Sequence, residues 1–143
     1  MKTFTLKAKD IKKSWYLIDA KDQVLGRLSS KVAQLIRGKG KPEFTPHLDM
    51  GDFVIIVNAD KVKVSGKKED DKVYWRHSGF PGGQKETNLS ELREKFPDRI
   101  ITNAVKGMLP HNSLGRKMLK NLKVYAEENH PHESQSPIKI DLS

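Results

Sequence analysis

The segment FVIIVN, residues 53–58, restricts the fold of this chain more than any other stretch. It is a continuous apolar run rich in β-branched residues, with none of the polar alternation of a half-exposed strand. A strand of this kind has both faces buried, which is the habit of a parallel sheet covered on each side. The segments before it agree. WYLID (15–19) is short and rich in strand formers. In KDQVLGRLSSKVAQLIRGKG, residues Leu25, Leu28, Val32, Leu35 and Ile36 recur at helical spacing, with Gly38 and Gly40 ending the helix. Arg27, Lys31 and Gln34 fall on the opposite face. Strand, helix and buried strand in this order predict a β-α-β unit.

The rest of the chain continues the α/β pattern. KVKVSG (61–66) alternates and is read as a short strand. KVYWRHS (72–78) is another strand candidate, running into the loop signal SGFPGGQ. Ser90 precedes ELREKF, whose Glu91 and Glu94 supply the acidic first turn of a helix. Ile100, Ile101, Ala104, Val105 and Met108 form a second helical stripe. Leu114, Met118, Leu119 and Leu122 form a third, and KVYAE (123–127) reads as a last strand. At 143 residues, the chain is long enough for one real core and too short for two. No internal repeat or dividing linker is visible. The expected organisation is one α/β domain over residues 1–143 with a mostly parallel sheet of about four strands. Residues 1–13 form a basic N-terminal arm, 14–126 the core, and 127–143 an irregular tail containing His and Pro.

Charge narrows the functional classes. Lys and Arg number 27 against 18 Asp and Glu, giving a net charge of +9 and a pI near 9.7. Such an excess disfavours self-association, so no homo-oligomer is expected, and it attracts polyanions. The charge is also segregated. Residues 106–123 carry five Lys and Arg and no acid, whereas residues 42–60 carry four acids and no Lys or Arg. Blocks of this kind predict one or more positive faces. There is no cysteine, which removes disulfides and thiolate chemistry. The N-terminal MKTFTLKAKDIKKSWY lacks the apolar stretch of a signal peptide, and the longest apolar run, FVIIV, is far too short to span a membrane.

Enzyme signatures are missing from the sequence. GKGKPEFT does not have the spacing of a phosphate-binding P-loop, no GxGxxG follows the first strand, and no GxSxG occurs. HLDMGD brings His47, Asp49 and Asp52 together, as a metal or acid–base cluster or as a turn whose aspartates cap the following strand; the capping reading is preferred. His130 and His132, in NHPHE, are read as part of a flexible tail. SGFPGGQK admits two readings of equal weight. It is either a plain turn between strand and helix, or a backbone kept bare for phosphate with Phe80 stacking on a base.

KGMLPHNSLGRK (106–117) separates two helical stripes with two glycines, a proline and no acid. Gly107 and Pro110 stop one helix. Asn112 or Ser113 can cap the next, whose first turn contains Gly115 and Arg116. A helix N-terminus favours phosphate, and Arg116, Lys117, Lys120 and Lys123 continue the charge along that helix. Arg27 with Lys31, Arg37 with Lys39 and Lys41, and Lys67 with Lys68 add three more basic groups. Together they favour binding to a nucleic-acid backbone over a merely solvated face. A small α/β enzyme using the charge to steer a phosphorylated substrate is the rival reading, but no nucleophile is paired with a base. A DNA-compacting protein is a third, without a groove-reading motif.

WYLIDA, LGRLSSKVAQLIRGK, FTPHLDMGD, VIIVNADKV, KVYWRHSGFPGG and above all AVKGMLPHNSLGRKMLKNLKVYAE resemble, in the same order, the bacterial form of the large-subunit ribosomal protein thirteen family. The resemblance covers about residues 2–137. It implies a three-layer α/β/α domain without catalytic activity, cofactor, metal or small-molecule substrate. It implies residence in the cytoplasm, on the large ribosomal subunit, early in assembly. Its implied partners are large-subunit ribosomal RNA and neighbouring ribosomal proteins. The implied RNA contacts are Arg27, Arg37, Lys39, His47, Arg76, His77, Ser78, Gly79, Lys106, Gly107, Arg116 and Lys117. The basic groups and glycine loops add Lys31, Lys41, Lys67, Lys68, Phe80, His111, Gly115, Lys120 and Lys123 as candidates. The chain departs from the family pattern at His111, where lysine is common, at Asn121, which replaces a frequent cation, and at Phe80, where tyrosine is usual.

Overall fold

The β-α-β unit is present in the computed structural model, which describes residues 2–142. β1 (Trp15–Asp19) leads through α1 (Leu25–Arg37) to β2 (Phe53–Val57), and the two strands pair in parallel from Trp15 opposite Phe53 to Asp19 opposite Val57. Gly38 ends α1 in the left-handed conformation, φ 85°, which costs glycine little. α2 (Lys68–Asp71) is a single turn, followed by an antiparallel hairpin of β3 (Val73–His77) and β4 (Gln84–Asn88). α3 (Leu89–Lys95), α4 (Pro97–Met108), α5 (Ser113–Leu119), β5 (Leu122–Val124) and β6 (Ile138–Lys139) complete the chain. The main sheet has the order β5-β2-β1-β6 and every pair in it is parallel.

The two faces of this sheet are covered differently. Ile18 pairs with Ile56, and both pack with Val54 and Leu122 against α1, α4 and α5 through Leu28, Val32, Ile101, Val105 and Met118. Side chains alternate along a strand, so Trp15, Leu17, Phe53, Ile55 and Val57 face the other way. Ile55 is fully buried there. The cover on that side comes from the tail. Trp15 stacks on Phe53 with ring centroids 4.4 Å apart, and His132 lies against Trp15 with its Nε2 hydrogen-bonded to the Tyr125 hydroxyl at 2.6 Å. The tail is otherwise mostly irregular, with a 3-10 turn at Glu133–Gln135, but its residues 138–139 add an edge strand to β1.

Several local expectations need correction. KVKVSG is not a strand: Ala59–Lys61 is a 3-10 turn, and Lys63 makes only an isolated bridge to Val24. The Lys63 N–H donates to the Gln23 carbonyl and its carbonyl accepts from Leu25, so the pairing stops where α1 begins. SGFPGG is a hairpin tip between two strands, not a turn into a helix. The helix after it starts at Leu89 and so includes Ser90 instead of following it, because Asn88 accepts from the Glu91 N–H at 3.0 Å and serves as the cap. Met108, the last member of its stripe, is about half exposed because α4 ends there.

Candidate nucleic-acid interface

α4 presents one bare face to solvent. Asn103, Lys106 and Gly107 are exposed on it, and four depressions meet around them. Towards α5 a groove of about 380 Å³ includes Lys106, His111, Gly115 and Arg116. Past the end of α1 a second, of about 520 Å³, brings Arg37 and Lys39 to His111. Across the start of α1 a third, of about 580 Å³, adds Arg27, Lys68 and Lys72. Beneath the hairpin lies the largest, about 810 Å³, with Arg76, Lys85, Lys95, Arg99 and Lys106. Among the described residues no Asp or Glu lines any of the four.

This convergence unites Arg27, Arg37, Lys39, Lys68, Arg76, Lys106, Gly107, His111, Gly115 and Arg116, which are scattered over ninety positions of sequence. It also adds Lys72, Lys85, Lys95 and Arg99, which sequence reading did not select. Their signal was weak: each stands directly beside an acid, Asp71, Glu86, Glu94 and Asp98 respectively, so no uninterrupted basic run marks it. Arg37 is held in place by the Phe44 ring, 5.7 Å from its guanidinium, and by a contact to the Met118 sulfur.

Other candidates lie elsewhere. His77, Ser78, Gly79 and Phe80 form the hairpin tip. There the Gly79 N–H donates to His77 Nδ1 at 2.8 Å, Gly79 has φ 90°, and Phe80 is exposed. His47, Lys67, Lys117 and Lys120 are exposed outside the four depressions. Lys31 donates to the Leu142 carbonyl, and Lys123 donates to the Lys120 carbonyl at 2.9 Å. Lys41 is engaged internally. Its ammonium donates to the carbonyls of Lys12 and Met50 at 2.8 and 2.6 Å and pairs with Asp52 at 3.1 Å.

The loop KGMLPHNSLGRK is tightly built. Leu109 is buried, and Asn112 Oδ1 accepts the Gly115 N–H at 2.8 Å, capping α5. A Cβ on Gly115 would stand 1.8 Å from the Pro110 carbonyl oxygen. Gly115 therefore lets two backbone segments touch each other; its N–H is already taken. Arg116 and Lys106 make no ion pair among the described residues and supply the charge at this groove.

The aspartates of HLDMGD hold the sheet together. Asp52 Oδ1 accepts the Ser14 N–H at 2.9 Å, while Asp49 accepts from Asn121 Nδ2 at 3.1 Å and pairs with Lys13 at 3.1 Å. Both therefore cap and clamp the start of β2. Among the described residues no group of three His, Cys, Asp or Glu is arranged to hold a metal. At the opposite end of β1, burial alone would raise the Asp19 pKa, but the Asn58 amide and the Lys21 N–H, each at 2.9 Å, outweigh it and hold it low.

Comparison with known proteins agrees with this geometry. The family model described as ribosomal protein L13 matches residues 13–131. Proteins named large ribosomal subunit protein uL13 from Cupriavidus taiwanensis, Herminiimonas arsenicoxydans and Burkholderia cenocepacia are each 56% identical to the chain over 142 residues. Each alignment covers 99% of this chain and 100% of the relative. By both its sequence match and its full-length relatives, the chain belongs to the ribosomal protein L13 family.

Proposed function

We propose that the chain is a structural constituent of the large ribosomal subunit, in the cytoplasm, and that it binds large-subunit ribosomal RNA through the cationic face centred on α4. The role is structural and not enzymatic, as membership of a ribosomal protein family entails. The observation that carries the RNA reading is that no described Asp or Glu lines the four adjoining depressions, in a chain with 18 acids. Like charges gathered without counter-charges weaken a fold, and a polyanion relieves the repulsion. Arg27, Arg37, Lys39, Lys68, Arg76, Lys106 and Arg116 act on phosphates. The hairpin tip and the exposed His47, Lys67, Lys117 and Lys120 extend the contact at its edges. Bound early, such a protein stabilises its RNA segment for later steps of subunit assembly and contacts neighbouring ribosomal proteins.

The test is the salt dependence of binding to purified large-subunit RNA. Each neutralised phosphate contributes a slope of about −0.7 to −0.9 in log K against log salt, so seven contacts give about −5 to −6. Replacing Lys39, Lys106 and Arg116 together by Ala should reduce the magnitude of that slope by about 2 to 3. Melting should hardly change, because each site is exposed. Binding by the parent that does not respond to salt would refute the proposal.

A further inference from the structure

The largest depression has features that backbone neutralisation alone does not need. Tyr74 pairs with Thr87 and Arg76 with Lys85 across the hairpin, and Tyr74 packs on the core, so these four share the ribbon face turned towards α4. Arg76 directly opposite Lys85 is a like-charge pair, which weakens a hairpin. On the facing wall Arg99, Asn103 and Lys106 follow one another at helical spacing, and Lys95 stands just before α4. None of these five cations makes an ion pair or a side-chain hydrogen bond among the described residues. At the junction of α3 and α4, Phe96 is 46% exposed, and the Arg99 guanidinium lies 4.0 Å from its ring centroid. The Arg99 guanidinium thus lies over the Phe96 ring, and this solvent-facing, cationic plate stands inside a cleft of about 810 Å³. That volume lies in the range of ligand clefts, about 300–1,000 Å³.

Aromatic rings and guanidinium planes are the surfaces on which unpaired bases stack. A paired RNA helix keeps its bases stacked inside and offers a concave cleft only its backbone. A nucleotide splayed from a loop or bulge offers both a base and flanking phosphates. An acidic peptide would satisfy the cations but not the plate. We propose that the cleft between the β3-β4 hairpin and α4 receives an unpaired nucleotide of RNA, its base stacked on Phe96 and Arg99 and its flanking phosphates held by Arg76, Lys85 and Lys106. This rests on the reading of the α4 face as an RNA surface.

The experiment uses the full chain, a fluorescent twelve-nucleotide oligoadenylate, an RNA duplex of the same length, and polyglutamate. Two variants preserve charge while altering the plate: Phe96→Leu removes the ring, and Arg99→Lys removes the plane. Stacking is worth about 1–3 kcal/mol per base, so each variant should lose about 5-fold or more in affinity for the single strand. Duplex affinity should stay within about 2-fold of the parent, because the electrostatic contribution is untouched. Lys39→Ala with Arg116→Ala, outside the cleft, should weaken both probes alike. Arg99→Lys is an exposed change, so it keeps the test decisive if Phe96→Leu lowers the melting temperature. Unchanged single-strand affinity in both variants would overturn the cleft proposal while leaving RNA binding by the face intact. Equal loss of single-strand and polyglutamate binding would also overturn it, making the cleft a peptide site. A parent that binds neither RNA probe nor large-subunit RNA would instead refute the underlying reading.

Discussion

The two glycines of KGMLPHNSLGRK should respond oppositely to the same substitution, although they lie only eight residues apart in one basic segment. At Gly115 an added Cβ would sit 1.8 Å from the Pro110 oxygen, whereas real Cβ atoms essentially never approach within 3.0 Å. The obstacle is backbone, so the loop or the start of α5 must shift by more than 1 Å. Forced overpacking costs about 1–3 kcal/mol. The shift also pulls the Gly115 N–H from Asn112 Oδ1, a cap worth about 1 kcal/mol. Alanine recovers up to about 1 kcal/mol of helix propensity, leaving Gly115→Ala destabilised by about 1–3 kcal/mol. For a chain of this size that is roughly 4–12 °C in melting temperature. At Gly107 no atom lies within 4 Å of the added Cβ, and the backbone is not left-handed. Gly107→Ala should therefore leave melting unchanged or raise it by a few degrees, up to about 1 kcal/mol. Melting followed by circular dichroism, with RNA affinity measured on the same samples, separates the two. Gly115→Ala should lose affinity only as far as it loses folded protein. Melting of Gly115→Ala within about 2 °C of the parent would refute the close approach to Pro110.

Burial, with His130 and Lys123 nearby, holds the His132 pKa below its ordinary 6.5. The unfolded chain therefore takes up the proton first, and stability present above pH 6.5 is lost as pH falls through the folded value. Thermal melts from pH 7.5 down to about 5 should show this loss, and His132→Phe should show less of it. Arg93 binds both Glu69 oxygens, at 2.7 and 2.9 Å, and the carbonyls of Asp60 and Val62, each at 2.8 Å. Arg93→Ala should cost about 2–3 kcal/mol in urea unfolding, and Arg93→Lys should recover little because an ammonium lacks the planar fork. Lys41→Ala should cost about 1–2 kcal/mol of stability with little effect on RNA affinity; Lys39→Ala should do the reverse. An RNA defect in Lys41→Ala without a stability loss would contradict the internal role of its ammonium.

Hydrophobic pattern alone was enough to place the β-α-β unit. FVIIVN and the stripe of α1 are local statements about which side chains avoid water, and a strand apolar on both faces admits few arrangements. β4 left no such trace. QKETN stands in a hairpin that is largely exposed, so selection for burial wrote no alternation into it. Residues 138–139 likewise earn their place as an edge strand through backbone pairing, to which side-chain pattern contributes little. The sequence by itself determined the basic balance, the segregation of charge and the capped loop before α5. Which cations are free was decided only by tertiary structure. Lys39 and Lys41 stand two residues apart in one basic segment, yet one lines a carboxylate-free groove and the other is bound to two carbonyls and Asp52. Arg99 and Lys85 meet in a cleft although no run connects them. Charge is a property each residue carries alone, whereas availability to a phosphate depends on what the fold sets within a few ångströms of it, and those neighbours come from distant parts of the chain.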